Sequence, residues 1–231
     1  MSKHLAYNVM SYSYEYPHPA VTTDIVIFTV KEGALNLLLI KRGEEPFKNH
    51  WAIPGGFLLM DEDLNGCAIR ELREETGVSD VYLEQLCTFG AVDRDPRERV
   101  LSVAYYALIP SDNIILKAGT DATDAKWFPL SALPDLAFDH SDIVKMAQER
   151  LSAKMGYSTI GLQFMPEQFT LSDLQNTYEI VSGKPLDKRN FRKWILSLEL
   201  IEETGQKKSD GPHRPAMLYR VKNPDNISII K

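Results

Sequence analysis

The chain has 231 residues, of which 44% are hydrophobic and 25% are charged, and its formal net charge at pH 7 is −6. This is the composition of a globular protein with enough apolar residues for a core, and it excludes a disordered or fibrous chain. No apolar run approaches the length of about 18 residues that a membrane span needs, and the first residues lack the apolar segment of a signal peptide. We therefore expect a cytoplasmic protein with no membrane partner.

The charge is unevenly distributed along the chain. The residues before Arg150 contain 13 Lys and Arg against 23 Asp and Glu, a net charge of −10, whereas the segment from Arg150 onwards contains 13 against 9, a net charge of +4. The length also fits one domain of about 150 residues followed by a smaller one. We therefore expect two domains, residues 1–150 and residues 151–231, with different partners.

The cysteines and histidines do not form a recognisable site. Cys67 and Cys87 have neither disulfide nor metal-site spacing, so we expect two buried thiols. The five histidines are scattered along the chain, and we expect structural rather than catalytic roles for them.

The first predicted element is a β-hairpin. Residues 20–30 and 34–41 are rich in β-branched and aliphatic residues and flank a short turn that contains Gly33. The loop that follows contains Arg42, which is one candidate for binding a substrate. Trp51 then leads into a pair of glycines. We expect Trp51 in the core, with contact to a nucleotide base as the alternative.

The next stretch, residues 55–78, is a glycine turn followed by a helix. At about 100° per residue, Leu64, Ala68 and Leu72 form an apolar stripe with Ile69 beside it, which predicts a helix packed against a core.

Three acidic residues lie on the flank of this stripe. Glu71, Glu74 and Glu75 are three or four residues apart, so their carboxylates repel one another. One interpretation is a solvated acidic face, which is the usual explanation of a charge run. The other is a site for a divalent cation, because hard oxygen ligands suit Mg²⁺ or Mn²⁺.

The spacing favours the cation site. From Gly56 the pattern is G-x5-E-x7-R-E-L-x-E-E-x-G-V, which closely resembles the Nudix box of hydrolases that cleave a nucleoside diphosphate linked to another moiety with the help of a divalent metal. The resemblance implies that the metal is held by four groups: the Gly55 carbonyl, Glu71, Glu74 and Glu75. It also implies a structural role for four further residues: Gly56, Glu62, Arg70 and Gly77.

Two more strands are predicted after the box helix, at residues 81–91 and 99–108, and the loop between them is densely charged. The loop could be a solvated turn. Alternatively, its arginines could bind phosphate in a bidentate manner, and Glu98 could act as a further metal ligand or general base. The candidate substrate-binding arginines of this loop are Arg94, Arg97 and Arg99.

The first domain should end with a strand and a helix. Residues 124–130 are predicted to form the strand, and a helix should run to about Met155, with Asp139 as its N-cap.

The second domain has the pattern of a winged helix. Thr170 begins a capping signal for one helix, and Asp187 should cap a second, basic helix. Two strands near residues 200–203 and 217–221 flank a polar tip. This order of elements predicts a helix in the major groove of double-stranded DNA, with a small accessory domain as the alternative. The candidate DNA-binding residues are Lys188, Arg189, Arg192, Lys193, Lys207, Lys208 and Arg214.

Taken together, the chain resembles the NrtR-type Nudix-related transcriptional regulators over nearly its full length. The supporting stretches are the box, FGAVDRDPRERVLSVAYYAL, LAFDH and FTLSDLQNTYEIVSGKPLDKRNFRKWIL. The resemblance implies an α+β fold, in which a Nudix α/β/α sandwich with a mixed sheet precedes a winged-helix domain. It further implies a homodimer that senses ADP-ribose, or in some branches a sugar such as arabinose, and then releases DNA.

Two functions remain open at this stage. Because every box carboxylate is present, the chain could hydrolyse ADP-ribose or a related nucleoside-diphosphate sugar with Mg²⁺ while it regulates transcription. The alternative is a catalytically idle transcription factor whose Nudix domain senses a sugar.

Overall fold

The computed structural model describes residues 14–77, 81–110, 122–209, 215–223 and 229. Among these residues, no helix is both long and apolar enough to cross a membrane. The described residues of the Nudix-like part form seven strands and two α-helices: β1 Ala20–Lys31, β2 Ala34–Arg42, β3 Trp51–Ala52, β4 Gly55–Phe57, α1 Leu64–Thr76, β5 Tyr82–Phe89, β6 Val100–Leu108, β7 Ala122–Pro129 and α2 His140–Met155. Those of the winged-helix part form two α-helices and two strands: α3 Leu171–Ser182, α4 Lys188–Ser197, β8 Ile201–Lys208 and β9 Ala216–Val221.

The seven strands of the first part form one mixed sheet. Five of them have the order β3-β2-β1-β6-β5, while β4 pairs with β1 and β7 pairs with β2. Strands β1 and β6 are parallel, whereas β2 pairs with β1 in an antiparallel hairpin, as the sequence predicted. The central strand β1 is buried from Thr22 to Thr29 because the sheet is covered on both faces.

Helix α1 covers one face of the sheet. Ala68 and Leu72 pack against Ile25, Ile27 and other residues of β1, β2 and β6. The prediction that Ile69 lies beside this apolar stripe is wrong, because its side chain is 48% exposed. At 100° per residue, Ile69 points away from the sheet, and the fully buried Cys67 and the buried Glu71 complete the packed face instead.

The cysteine prediction holds for one of the two thiols. Cys67 is fully buried, and burial raises its pKa to about 11. Cys87 is only half-buried, because it lies on β5, which is at the edge of the sheet. Both cysteines are free.

Helices α2 and α3 cover the other face, and they join the two parts of the chain. Ile143, Ala147 and Leu151 of α2 belong to the same hydrophobic core as Leu174 and Tyr178 of α3. This core also includes inward-facing residues of the sheet. The α/β/α sandwich is therefore confirmed, and the winged helix is packed directly onto it.

The two helices of the winged helix begin where the sequence predicted. The Thr170 side chain and Asp173 form a reciprocal capping box at α3, and the Asp187 side chain accepts a hydrogen bond from the Asn190 amide at α4. Strands β8 and β9 form the antiparallel hairpin.

The shared core predicts that both parts of the chain unfold together. Leu151→Ala should lower the free energy of unfolding by about 2–5 kcal/mol, since it leaves a cavity at a fully buried position. The control Met146→Ala, on the same helix and 40% exposed, should change it by less than about 0.5 kcal/mol. Urea unfolding measures the free energy of unfolding of both variants. If the surroundings of Trp51 and Trp194 unfolded at different urea concentrations, the two parts would not share a common core.

Candidate functional site

The site is built on a short segment that we call the glycine loop (residues 53–56). Gly55 pairs with Asp24 and Gly56 pairs with Thr23 of β1. A Cβ atom on Gly55 would overlap the Thr23 carbonyl and the Asp24 carboxylate, and one on Gly56 would overlap the carboxylate of Glu71. Glycine is therefore required at both positions for β1, the loop and α1 to pack closely together.

Arg70 of α1 binds the segment that follows the glycine loop, residues 57–62, to the helix. Its guanidinium donates to both carboxylate oxygens of Glu62, at 2.6 and 2.9 Å, and to the Phe57 carbonyl at 3.1 Å. The Leu59 amide also donates to Glu62. The hydrogen bonds from Arg70, followed in size by the one from Leu59, lower the pKa of Glu62 to about 2. Glu62 therefore stays ionised at neutral pH.

Gly77 ends the helix that carries these residues. It has φ 72°, the left-handed conformation that favours glycine, and its amide donates to the Arg73 carbonyl.

The same arginine separates two acidic residues of the box. One nitrogen of Arg70 lies 2.5 Å from Glu71 Oε1 and 3.3 Å from Glu74 Oε2. Glu71 is buried, and this burial raises its pKa, whereas the Glu74 side chain is 55% exposed. The side chain of Glu75 lies outside the described part of the structure. Among the described side chains, no three His, Cys, Asp or Glu residues are grouped closely enough to hold a metal ion.

The groups present nevertheless fit a divalent cation. Glu71 and Glu74 approach a single positively charged nitrogen, so a cation in that region would meet two carboxylates. Both offer hard oxygen atoms, as does the backbone carbonyl of Gly55. A cation would also offset the cost of ionising the buried Glu71, which Glu74 increases.

Behind the glycine loop lies a group that we call the buried charge network (Asp24, Arg94, Asp139 and His140). Arg94 donates two hydrogen bonds to Asp139, at 2.7 and 2.9 Å, and lies 3.4 Å from Asp24. The Ser102 hydroxyl also donates to Asp24. The Arg94 side chain is only 4% exposed, so the structure places this predicted substrate-binding residue beneath the site rather than on its surface.

His140 connects the network to the glycine loop. Its Nδ1 accepts a hydrogen bond of 3.2 Å from the Ile53 amide. Burial lowers the pKa of His140, which favours the neutral imidazole that this hydrogen bond requires.

The network corrects one prediction and adds residues that the sequence analysis missed. Asp139 occupies the N-cap position of α2, but its side chain makes no capping hydrogen bond, because both its oxygens bind Arg94. Asp24, Ser102 and His140 were not predicted as site residues. One signal was available for Asp24, since it is the single charge in the otherwise uncharged stretch AVTTDIVIFTV.

Two arginines on the surface of the site flank one aromatic ring. The guanidinium carbon of Arg42 lies 4.8 Å from the centre of the Phe138 ring, and that of Arg97 lies 5.9 Å from it. Arg97 also lies 5.3 Å from the ring centre of Phe57, which follows the glycine loop. Burial, and secondly Arg97, lower the pKa of Arg42. An anion would relieve this repulsion between like charges.

The remaining predicted residues of this region lie around these two arginines. Asp95 binds Arg97 through two hydrogen bonds, at 2.7 and 3.0 Å. Arg99 donates to the Ala91 carbonyl, and Glu98 is exposed. Trp51 is partly buried and packs edge-on against Phe128 at 4.8 Å, so it lies at the margin of the core that was expected to contain it.

The winged helix presents a basic surface. The side of α4 that carries Phe191 and Ile195 is buried. The basic residues of α4 and two lysines of β8 are exposed: Lys188, Arg189, Arg192, Lys193, Lys207 and Lys208. Arg214 lies outside the described residues.

Comparison with known proteins agrees with both parts of this structure. Residues 18–147 match the model of the NUDIX domain, and residues 161–221 match that of the NrtR DNA-binding winged helix domain. The chain is 42% identical to the ADPR responsive transcriptional repressor NtrR of Acinetobacter baylyi, over 89% of this chain and 83% of that protein. It is also 42% identical to the ADP-ribose pyrophosphatase of Methanocaldococcus jannaschii, over 56% of this chain and 73% of that enzyme.

A solved structure extends the similarity to the arrangement of both domains. The crystal structure of Shewanella oneidensis NrtR complexed with a 27mer DNA is similar with a TM-score of 0.80 and 38% identity, over 89% of this chain and 94% of that chain. The chain therefore belongs to the NrtR family of transcriptional regulators, in which a Nudix domain precedes a winged-helix DNA-binding domain.

Proposed function

We propose that this protein is a transcriptional repressor that binds ADP-ribose or a closely related nucleoside-diphosphate sugar with Mg²⁺, or Mn²⁺, and hydrolyses it. The observation that supports this proposal is the pairing of opposite charges around the glycine loop. Glu71 and Glu74 would provide a cation site, and Arg42 and Arg97 would provide an anion site beside Phe138. A metal-bound diphosphate requires both kinds of site.

The proposed chemistry is hydrolysis of the diphosphate bond. The metal, when bound, offsets negative charge on the phosphate oxygens and lowers the pKa of a water molecule. Glu71, Glu74, Glu75 and the Gly55 carbonyl would hold it. Arg42 and Arg97 would orient the phosphates, with Arg99 at the margin, and the exposed Glu98 is the candidate general base. Similarity to the M. jannaschii ADP-ribose pyrophosphatase supports this reaction.

The proposed regulatory role rests on the second domain. The exposed side of α4 would enter the major groove, and the lysines of β8 would contact the phosphate backbone, which orients the protein on DNA. Similarity to the A. baylyi repressor supports release of DNA when ADP-ribose binds. We expect a homodimer, so light scattering should give twice the chain mass of 26.2 kDa.

Hydrolysis is tested by incubating the protein with ADP-ribose and Mg²⁺. AMP and ribose 5-phosphate should form, and Glu74→Gln should slow the reaction at least about 100-fold, since it removes charge that stabilises the metal. Glu149→Gln makes the same change at an exposed position of α2 and should have no effect.

The outcomes separate the two functions that the sequence left open. If the wild-type protein binds ADP-ribose but releases no AMP even at high protein concentration, it is a sensor and not a hydrolase. L-Arabinose serves as the control ligand. If arabinose raises the melting temperature of the protein and ADP-ribose does not, the proposed ligand class is wrong.

DNA binding is tested by fluorescence anisotropy with DNA from the region upstream of the protein's own gene. Because each lost phosphate contact reduces the slope of log K against log[salt] by about 0.9, Arg189→Ala/Arg192→Ala should reduce that slope by about 1.8 and weaken binding. Lys48→Ala/Lys145→Ala removes the same charge from exposed positions in the first domain. Equal slopes for the two double variants would exclude α4 as the DNA-binding helix.

A further inference from the structure

A ligand can change DNA affinity only if the ligand site and the DNA site influence one common structural element. Helix α2 is one element that contacts both parts of this protein. Its first turn lies behind the glycine loop, and its apolar side faces α3 of the winged helix.

The first turn of α2 is tied to the glycine loop by specific polar contacts. His140 accepts a hydrogen bond from the Ile53 amide, and just before the helix and the loop the Ala137 amide donates to the Trp51 carbonyl at 2.8 Å. Asp139 binds Arg94, and Arg94 in turn meets Asp24, whose carboxylate lies against Gly55. A displacement of the glycine loop would therefore disturb charges at the start of α2.

These contacts are stiff because the ion pairs of Arg94 are largely buried. Asp24 is 7% exposed, and the side chains of Arg94 and Asp139 are 4% and 19% exposed. Separating a buried ion pair leaves an uncompensated charge, which is far more costly than breaking an exposed pair. The network is thus more easily moved as a unit than stretched.

The other side of α2 leads to the DNA-binding helix. Leu151 and Ala147 share one core with Leu174 and Tyr178 of α3. The Tyr178 ring contacts both Phe191 and Trp194 of α4, each at 5.5 Å between ring centres.

The connecting segment is equally tightly packed around Tyr178. The Tyr178 hydroxyl donates to the Ser158 carbonyl at 3.4 Å, and a Cβ atom on Gly161 would overlap the Tyr178 ring. A close-packed region of this kind transmits a displacement rather than absorbing it.

We infer that Asp24, Arg94, Asp139 and His140 are positioning residues, which fix the glycine loop to the first turn of α2 so that α2 transmits occupancy of the Nudix site to α4. This inference rests on the proposed function, since it requires one ligand at the glycine loop and DNA at α4. It assigns the coupling to the buried charge network and not to either binding surface.

The test measures the coupling factor, which is the ratio of the DNA dissociation constants with and without saturating ADP-ribose, in the absence of Mg²⁺ so that hydrolysis does not consume the ligand. For the full-length wild-type protein we expect a factor of about 5 to 150, the usual range for allosteric proteins. Asp139→Asn, which weakens the ion pair with Arg94, should bring the factor close to 1. Asp142→Asn is the matched control, because it makes the same change at an exposed position in the same turn of α2.

A merely structural role for the network predicts a different result. A loss of stability that leaves the variant fully folded at the assay temperature, with and without ligand, would leave the coupling factor unchanged. The reciprocal measurement, ADP-ribose affinity with and without DNA, must give the same factor in each variant.

A second pair of variants decides the outcome if Asp139→Asn does not fold. His140→Asn provides an amide oxygen that can accept the Ile53 hydrogen bond, and should keep the coupling. His140→Leu removes the acceptor and should lose it. A coupling factor in His140→Leu equal to that of the wild type would overturn the inference. No coupling in the wild type would instead overturn the proposed ligand-controlled repression.

Discussion

The structure of the site depends on one guanidinium. Arg70 contacts Glu62, Glu71 and Glu74 and also binds the Phe57 carbonyl, so one side chain compensates three carboxylates and fastens the loop to α1. Without it, the buried Glu71 would face its acidic neighbours without a countercharge, which is a costly arrangement inside a packed helix. The Nudix box therefore has a structural role, because Arg70 and Glu62 hold the loop against the helix that carries the acidic residues.

Local features of the fold could be predicted from sequence because their causes are local. The β1–β2 hairpin followed from two apolar runs around a turn, and the capping box at Thr170 followed from residues three apart. The Nudix box was identifiable because its spacing lies within one continuous stretch. The order of the two domains followed from the acidic first part and the winged-helix pattern of the basic second part, and the comparisons confirm the resemblance to the NrtR family.

The buried charge network could not be predicted because its contacts are distant in sequence. Arg94 and Asp139 are 45 residues apart, and Arg94 and Asp24 are 70 apart, so no local pattern relates them. Asp139 shows how a local rule fails. Its position suited a helix cap, but the buried Arg94 guanidinium holds both carboxylate oxygens in charge-assisted hydrogen bonds, which are stronger than the bonds that exposed backbone amides offer. Ile69 failed for a simpler reason, since an apolar residue need not face the core.

The uneven charge of the chain has a structural consequence because the two parts share one core. The acidic half and the basic half cannot rotate freely relative to each other, so the molecule has a permanent electric dipole. The negative charge of a DNA duplex repels the acidic first part of the protein and attracts the basic second part, which carries the exposed side of α4. The protein therefore approaches DNA already oriented, and raising the salt concentration slows its capture as well as weakening the final complex.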